Sequence, residues 1–178
     1  MSRIGKKPIE IPKGVTVSLT EHKIEVNGKH GKLEQTFSNL VAIEIHENNL
    51  ILKPLQETKQ ARAYHGLMRA LIQNMVKGVD DTFQKTLVAE GVGYKFQVEK
   101  EKLVLSVGFS HPVFFIIPSD LQVKLESNTK ISIQGISKEK VGFFASQIRA
   151  IRPPEPYKGK GIQYLGEKIL RKAGKTGK

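Results

Sequence analysis

A chain of 178 residues, 39% of them hydrophobic, holds enough apolar material for one ordinary domain or two small ones, and its lack of cysteine excludes disulfides and thiolate zinc sites. Lys and Arg number 29 against 17 Asp and Glu, a net +12 that points to a polyanionic partner. The charge is concentrated at the ends: residues 152–178 hold eight cations and two acids, net +6, and residues 1–14 hold four and one, net +3.

The opening stretch MSRIGKKPIEIPKG has no apolar run long enough for a signal peptide or a membrane span, and it is not the Arg- and Ser-rich sequence of a transit peptide. The expected place of work is therefore where the chain is made, unless a presequence has been removed. Val15–Leu19 alternates in polarity and is predicted to pair with Lys23–Val26, and Asn27-Gly28 opens the next turn. Ala42–Ile45 and Leu50–Leu52 form a second such pair around His46–Asn49. The period then changes. Tyr64, Leu67, Met68, Leu71, Ile72, Met75 and Val76 recur at three and four residues, one face of an amphipathic helix that Gly78 is placed to end.

The second half repeats this plan. Tyr94–Val98 and Lys102–Leu105 alternate as Val15–Val26 does, offset by 79 residues. Leu121, Val123 and Leu125, followed by Ile131 and Ile133, match the second hairpin. Ser137 is a candidate cap for a helix whose apolar face is Val141, Phe144, Ala145, Ile148 and Ile151. The closest match is Met68-Arg-Ala-Leu against Ile148-Arg-Ala-Ile, offset by 80. An internal duplication accounts for these matches most simply. The predicted architecture is α+β: two tandem duplicated small domains, each an antiparallel β-sheet packed with one α-helix, plus a basic C-terminal arm. The expected boundaries are 1–81 with its basic N-terminal segment, 82–152, and 153–178, with the joint at Gly78–Asp81.

After the second helix the chain meets Pro153-Pro154-Glu-Pro, which cannot continue a helix and is predicted to hold Tyr157 onward away from the body. Lys158, Gly159, Lys160 and Gly161 then alternate, lysines suited to phosphates and glycines to close backbone approach. Tyr157 and Tyr164 flank them as candidates for stacking on bases. Two readings stand: a positioned nucleic-acid contact, or a flexible cationic tail whose tyrosines pack on their own domain. The prolines favour the first.

Catalytic motifs are not supported. Ala173-Gly-Lys-Thr-Gly177 imitates part of a nucleotide loop, but Ile169 stands where its first glycine is required. Gly91-Val-Gly-Tyr-Lys-Phe96 lacks the third glycine of a dinucleotide turn and leads into a strand, so the glycines are expected at a bulge or close backbone contact. His22, His30, His46, His65 and His111 share no metal-ligand spacing, and no serine lies in a nucleophile elbow. No enzyme activity, metal or cofactor is expected.

The run RPPEPYKGKGI, Arg152–Ile162, resembles the signature of the sixth-protein family of the large ribosomal subunit, in its bacterial and organellar form. SRIGKKPI at the start, EGVGYK from Glu90, GFSHP from Gly108 and GEKI from Gly166 extend the resemblance over the full length. It implies two duplicated α+β domains, no catalysis and no cofactor. It implies a structural role in the large subunit, with large-subunit ribosomal RNA bound near the sarcin–ricin region and beside the translation-factor site. Neighbouring large-subunit proteins are the other expected partners, and the location is a ribosome, of the cytoplasm or of a plastid or mitochondrion. A free RNA-binding or ribosome-assembly factor is the alternative; a membrane surface is not favoured, since Trp is absent and the helices carry few lysines on a polar face. RNA contact is carried onto Arg152, Tyr157, Lys158, Gly159, Lys160, Gly161, Lys168, Arg171, Lys172 and Lys175. Arg3, Lys6 and Lys7 form a second set, and Lys95 and His111 a third. Gln163 stands where many relatives have arginine, and Arg69 and Arg149, at equivalent places in the two helices, are open to a structural role.

Overall fold

The computed structural model describes residues 3–175, and the chain divides between Thr82 and Phe83 into two compact units. Ser2, and Thr176 and Gly177 of the rejected nucleotide loop, lie outside the described residues.

In the first unit, β2 (Thr16–Thr20), β3 (Lys23–Gly28) and β4 (Gly31–Thr36) form one antiparallel sheet in the order β2-β3-β4. A second sheet places β6 (Asn49–Pro54) between β1 (Ile9–Glu10) and β5 (Val41–His46). The helix α1 (Lys59–Asp80) begins at Thr58, whose hydroxyl accepts the Ala61 N–H at 3.1 Å. Its stripe buries Met68, Ile72, Met75 and Val76 against Ile24, Val26, Leu50 and Leu52. Alternation in the strands and the 3.6-residue period of the helix thus meet in one core.

The second unit has the same plan. β8 (Lys95–Glu99), β9 (Lys102–Ser106) and β10 (Val113–Ile116) make the counterpart of the first sheet. β12 (Lys130–Gly135) lies between β11 (Leu121–Ser127) and β7 (Phe83–Glu90), as β6 lies between β5 and β1. The helix α2 (Lys138–Ile151) is capped by Ser137, which accepts the Lys140 N–H at 3.4 Å, and its Val141, Phe144, Ala145 and Ile148 enter the core as predicted. Among the described residues, one strand has no counterpart in the first unit. β13 (Gly161–Tyr164) adds to the outer edge of β7, pairing Ile162 with Ala89 and Tyr164 with Leu87.

That strand corrects the expectation of an arm held off the body. Ile162 is 0% exposed and belongs to the core with Leu87, Phe96 and Ile133. The physical reason is that β7 offers an unpaired row of N–H and C=O groups, and the prolines steer the chain back to it. Leu165 N–H extends the return, donating to Thr86 O at 3.0 Å. Two smaller corrections belong to α1. Gly78 is buried inside the helix, which runs on to Asp80, so the expected joint is its last turn. Leu67 is 53% exposed, because the predicted stripe is wider than the face the sheets cover.

Candidate nucleic-acid interface

Residues 152–162 form a closed loop rather than a free tail. Ile162 N–H donates to Arg152 O at 2.7 Å, and Glu155 N–H donates to Lys160 O at 2.9 Å. A Cβ on Gly161, whose φ is +144°, would lie 2.6 Å from both Pro153 O and Pro154 Cα. The glycine is therefore required by its own chain: the rigid proline backbone passes where a side chain would stand. Gly159, with φ +74°, is buried beneath the Arg171 guanidinium, 3.2 Å from the position of a Cβ. Close approach, expected here toward a ligand, is also used within the chain, by the proline backbone at Gly161 and by the Arg171 side chain at Gly159.

The lysines face outward. Lys158 and Lys160 are exposed, and Tyr157 is 57% exposed beside them. Tyr164 behaves differently: Lys85 and Arg149 lie over its ring at 5.8 and 5.7 Å, and it packs on the core. Only Tyr157 of the flanking pair is presented for stacking. Gln163 is held in β13 and donates its side-chain amide to the Glu90 carboxylate, so it too is engaged within the protein.

Beyond β13 the chain is tied back at two points. Arg149 grips the Glu167 carboxylate with Nε at 3.1 Å and a terminal nitrogen at 2.5 Å. The Tyr164 N–H adds a third donor at 3.0 Å. Arg149 first, and then this amide, hold the Glu167 carboxyl below the usual carboxylate range, and the same pairing raises Arg149. Lys172 N–H then donates to Pro156 O at 2.8 Å, which returns Arg171 and Lys172 to the loop. Lys168 and Lys175 are exposed on the same segment.

Net charge separates this region from the rest: residues 152–178 carry +6, whereas residues 15–151 carry only +3, and part of the body's positive charge is paired. Lys23, Lys29, Lys32, Lys53, Lys130 and Lys140 each face an acid on the body. Among the described residues, none of Arg152, Lys158, Lys160, Lys168, Arg171, Lys172 and Lys175 is ion-paired. The only acids of the segment are Glu155 and Glu167, and Glu167 is committed to Arg149. The resulting field is strongly positive, with Glu155 as its one uncommitted acid among the described residues.

Part of the third predicted set joins this face. The Arg152 guanidinium lies 5.5 Å from the centre of the Phe109 ring, and Phe109 stacks on His111 at 6.3 Å. Tyr94 fills the space over Gly91 and Gly108, where a Cβ would come within 2.9 and 3.1 Å of its ring or hydroxyl. Tyr94, Arg152, Pro153, Glu155 and Lys160 line an open recess of about 310 Å³. Lys95, exposed at the start of β8, makes no contact that ties it to the recess. Tyr94, Phe109 and Glu155 were not singled out from sequence. Their signal was the glycine beside or near each aromatic, in GVGY and GF.

Arg3, Lys6 and Lys7 belong to the first unit, and all three are exposed. Arg69, only 7% exposed, donates from Nε to Lys7 O at 3.1 Å and from a terminal nitrogen to Pro8 O at 3.2 Å. Arg69 and Arg149 thus do equivalent work, each pinning a chain segment beside its helix.

The two-repeat plan and the cationic loop both fall within what one family model matches. The family model described as Ribosomal protein L6 matches residues 11–82 and again 90–165. The chain belongs to the L6 family of ribosomal proteins. It is 48% identical over its full length to the large ribosomal subunit protein uL6 of Halalkalibacterium halodurans, covering 100% of both chains. It is 52% identical to the uL6 of Dictyoglomus thermophilum, over 100% of this chain and 99% of that one. A protein named uL6c from Cyanophora paradoxa is 48% identical over 100% of this chain and 99% of its own. The second L6 match ends at Leu165, so it includes β13.

Proposed function

We propose that this chain is a structural constituent of the large ribosomal subunit, binding large-subunit ribosomal RNA and bracing it near the sarcin–ricin region, beside the site where translation factors dock. One observation carries the reading: a loop locked to the sheet by β13 presents Lys158, Lys160, Lys172 and their neighbours without an ion pair among the described residues, against Glu155 as the segment's one uncommitted acid. Fixed cations of this kind offset the mutual repulsion of RNA helices, which a floppy tail does less well because it pays ordering entropy on binding. The work is architectural, with other large-subunit proteins as neighbours. Arg3, Lys6 and Lys7, on a segment pinned by Arg69, supply a second contact from the first unit. Recognition follows RNA shape and phosphate position more than base identity in paired regions.

Sedimentation of native ribosomes through a high-salt gradient tests the assignment. The protein should remain with the large subunit. Release to the top of the gradient at salt that retains other large-subunit proteins would favour a transient assembly factor instead. Cross-links from retained protein to ribosomal RNA should concentrate between residues 152 and 175.

A further inference from the structure

The recess beside Arg152 contains a feature that phosphate binding does not explain. Glu155 lines it together with Lys160 and Arg152, yet among the described residues its carboxylate pairs with neither. A carboxylate on a phosphate-binding face repels the ligand, so its presence needs another contact to offset that cost. The walls show what kind. Tyr94 is immobilised over two glycines, Pro153 gives a flat apolar edge, and Arg152 is stacked above Phe109. An aromatic and an apolar wall with one acceptor and two cations suit a flat heterocycle that carries N–H donors and is attached to phosphate. The recess, at about 310 Å³, falls at the lower end of small-ligand clefts, which span roughly 300–1,000 Å³.

Among the four RNA bases, guanine alone presents two adjacent N–H donors, from N1 and N2, on its Watson–Crick edge. They match the two oxygens of one carboxylate as a guanidinium does. We infer that the recess takes one unpaired guanosine, splayed out of the RNA, with Glu155 reading N1–H and N2–H and Lys160 and Arg152 holding the flanking phosphate. This rests on the proposed RNA binding and adds a base-specific contact to it. Glu155 is well placed to do so because its own N–H is bonded to Lys160 O, which fixes reader and cation to each other across the loop.

Footprinting of the full-length protein on deproteinised large-subunit ribosomal RNA tests the inference. Kethoxal attacks N1 and N2 of unpaired guanines, the same edge, and hydroxyl radicals report backbone protection independently. Wild type should protect at least one kethoxal-reactive guanine lying within its backbone footprint. Glu155→Gln keeps the shape of the side chain but replaces one acceptor oxygen with a donor. At saturating protein it should restore the reactivity of that guanine to the level of free RNA and leave the backbone footprint and the melting of the second unit in place. Lys160→Gln should raise the protein concentration needed for the backbone footprint, while that guanine stays protected at saturation. The inference is overturned if wild type and Glu155→Gln give the same kethoxal pattern within an intact backbone footprint. A backbone footprint absent at every salt concentration would instead defeat the RNA-binding reading itself.

Discussion

Replacing Ile162 by alanine asks whether the lysine loop is part of the fold or an attachment to it. Ile162 is 0% exposed and sits on β13 among Leu87, Ala89 and Phe96. Removing a buried isoleucine side chain down to its Cβ costs about 2–5 kcal/mol, the spread depending on how far the site collapses. β13 is an edge strand and is free to settle inward, so the lower half of that range is expected. For a unit of this size each kcal/mol lowers the midpoint by roughly 4–8 °C. Thermal melts combined with amide hydrogen exchange separate the two units: protection should fall across β7 and β12 and persist in α1 and β3. Leu170→Ala, at a side chain 90% exposed, is the matched control and should change nothing. An Ile162→Ala protein with unaltered melting and unaltered exchange in β7 would refute the packed strand and return the segment to a free arm. Truncation before residue 153 should be harsher still, because it removes the strand together with the Glu167 anchor of Arg149.

Lys158→Gln with Lys160→Gln should leave melting unchanged, yet reduce the slope of log affinity against log salt on large-subunit RNA by roughly 1.4–1.8, taking about 0.7–0.9 per phosphate; an unchanged slope would show the two lysines to be bystanders. Gly161→Val keeps every charge but drives a side chain into Pro153 and Pro154, at a strain of order 1–3 kcal/mol. Stability of the second unit and RNA affinity should fall together, and a loss of affinity alone would contradict the packing. The folded Glu167 carboxyl lies below its ordinary value of 4.5, so the stability it contributes is complete above that pH and is lost as pH falls through the depressed value. The difference in urea midpoint between wild type and Glu167→Gln should therefore be constant from neutrality to about pH 5 and shrink below 4.5; a pH-independent difference would remove the carboxylate from the account.

The hairpins and helices were legible because each is a local pattern. Val15–Val26 alternates within reach of its own turn, and the Val141–Ile151 stripe repeats at helical spacing behind a capping serine. β13 was not legible, since Gly-Ile-Gln-Tyr has a single fully buried apolar side chain and its partner β7 lies more than 70 residues upstream. The prolines misled in the same way: they do stop α2, but a chain that cannot continue as helix is as free to turn back as to project. Lys158 and Lys160 were expected from charge and spacing alone, and the structure leaves both exposed. The recess could not, because Tyr94, Phe109 and Glu155 converge only through tertiary packing. The glycines were noticed as room for a ligand, and the structure adds a need inside the chain that the sequence did not show.

β13 also bears on the order in which the molecule can be made. Strands β1 to β6 and helix α1 leave the synthesis machinery as a complete set, so the first unit can fold while the rest is still being translated. The second unit cannot finish in that way. β7 emerges first of its strands, and its outer edge stays open until residues 161–164 have followed some 70 positions later. During that interval an incomplete chain exposes both an unsatisfied strand edge and the hole that Ile162 fills, the combination that invites pairing with another nascent chain. The step that closes this edge also assembles the cationic loop. A truncated chain therefore lacks both a closed sheet edge and an assembled cationic loop.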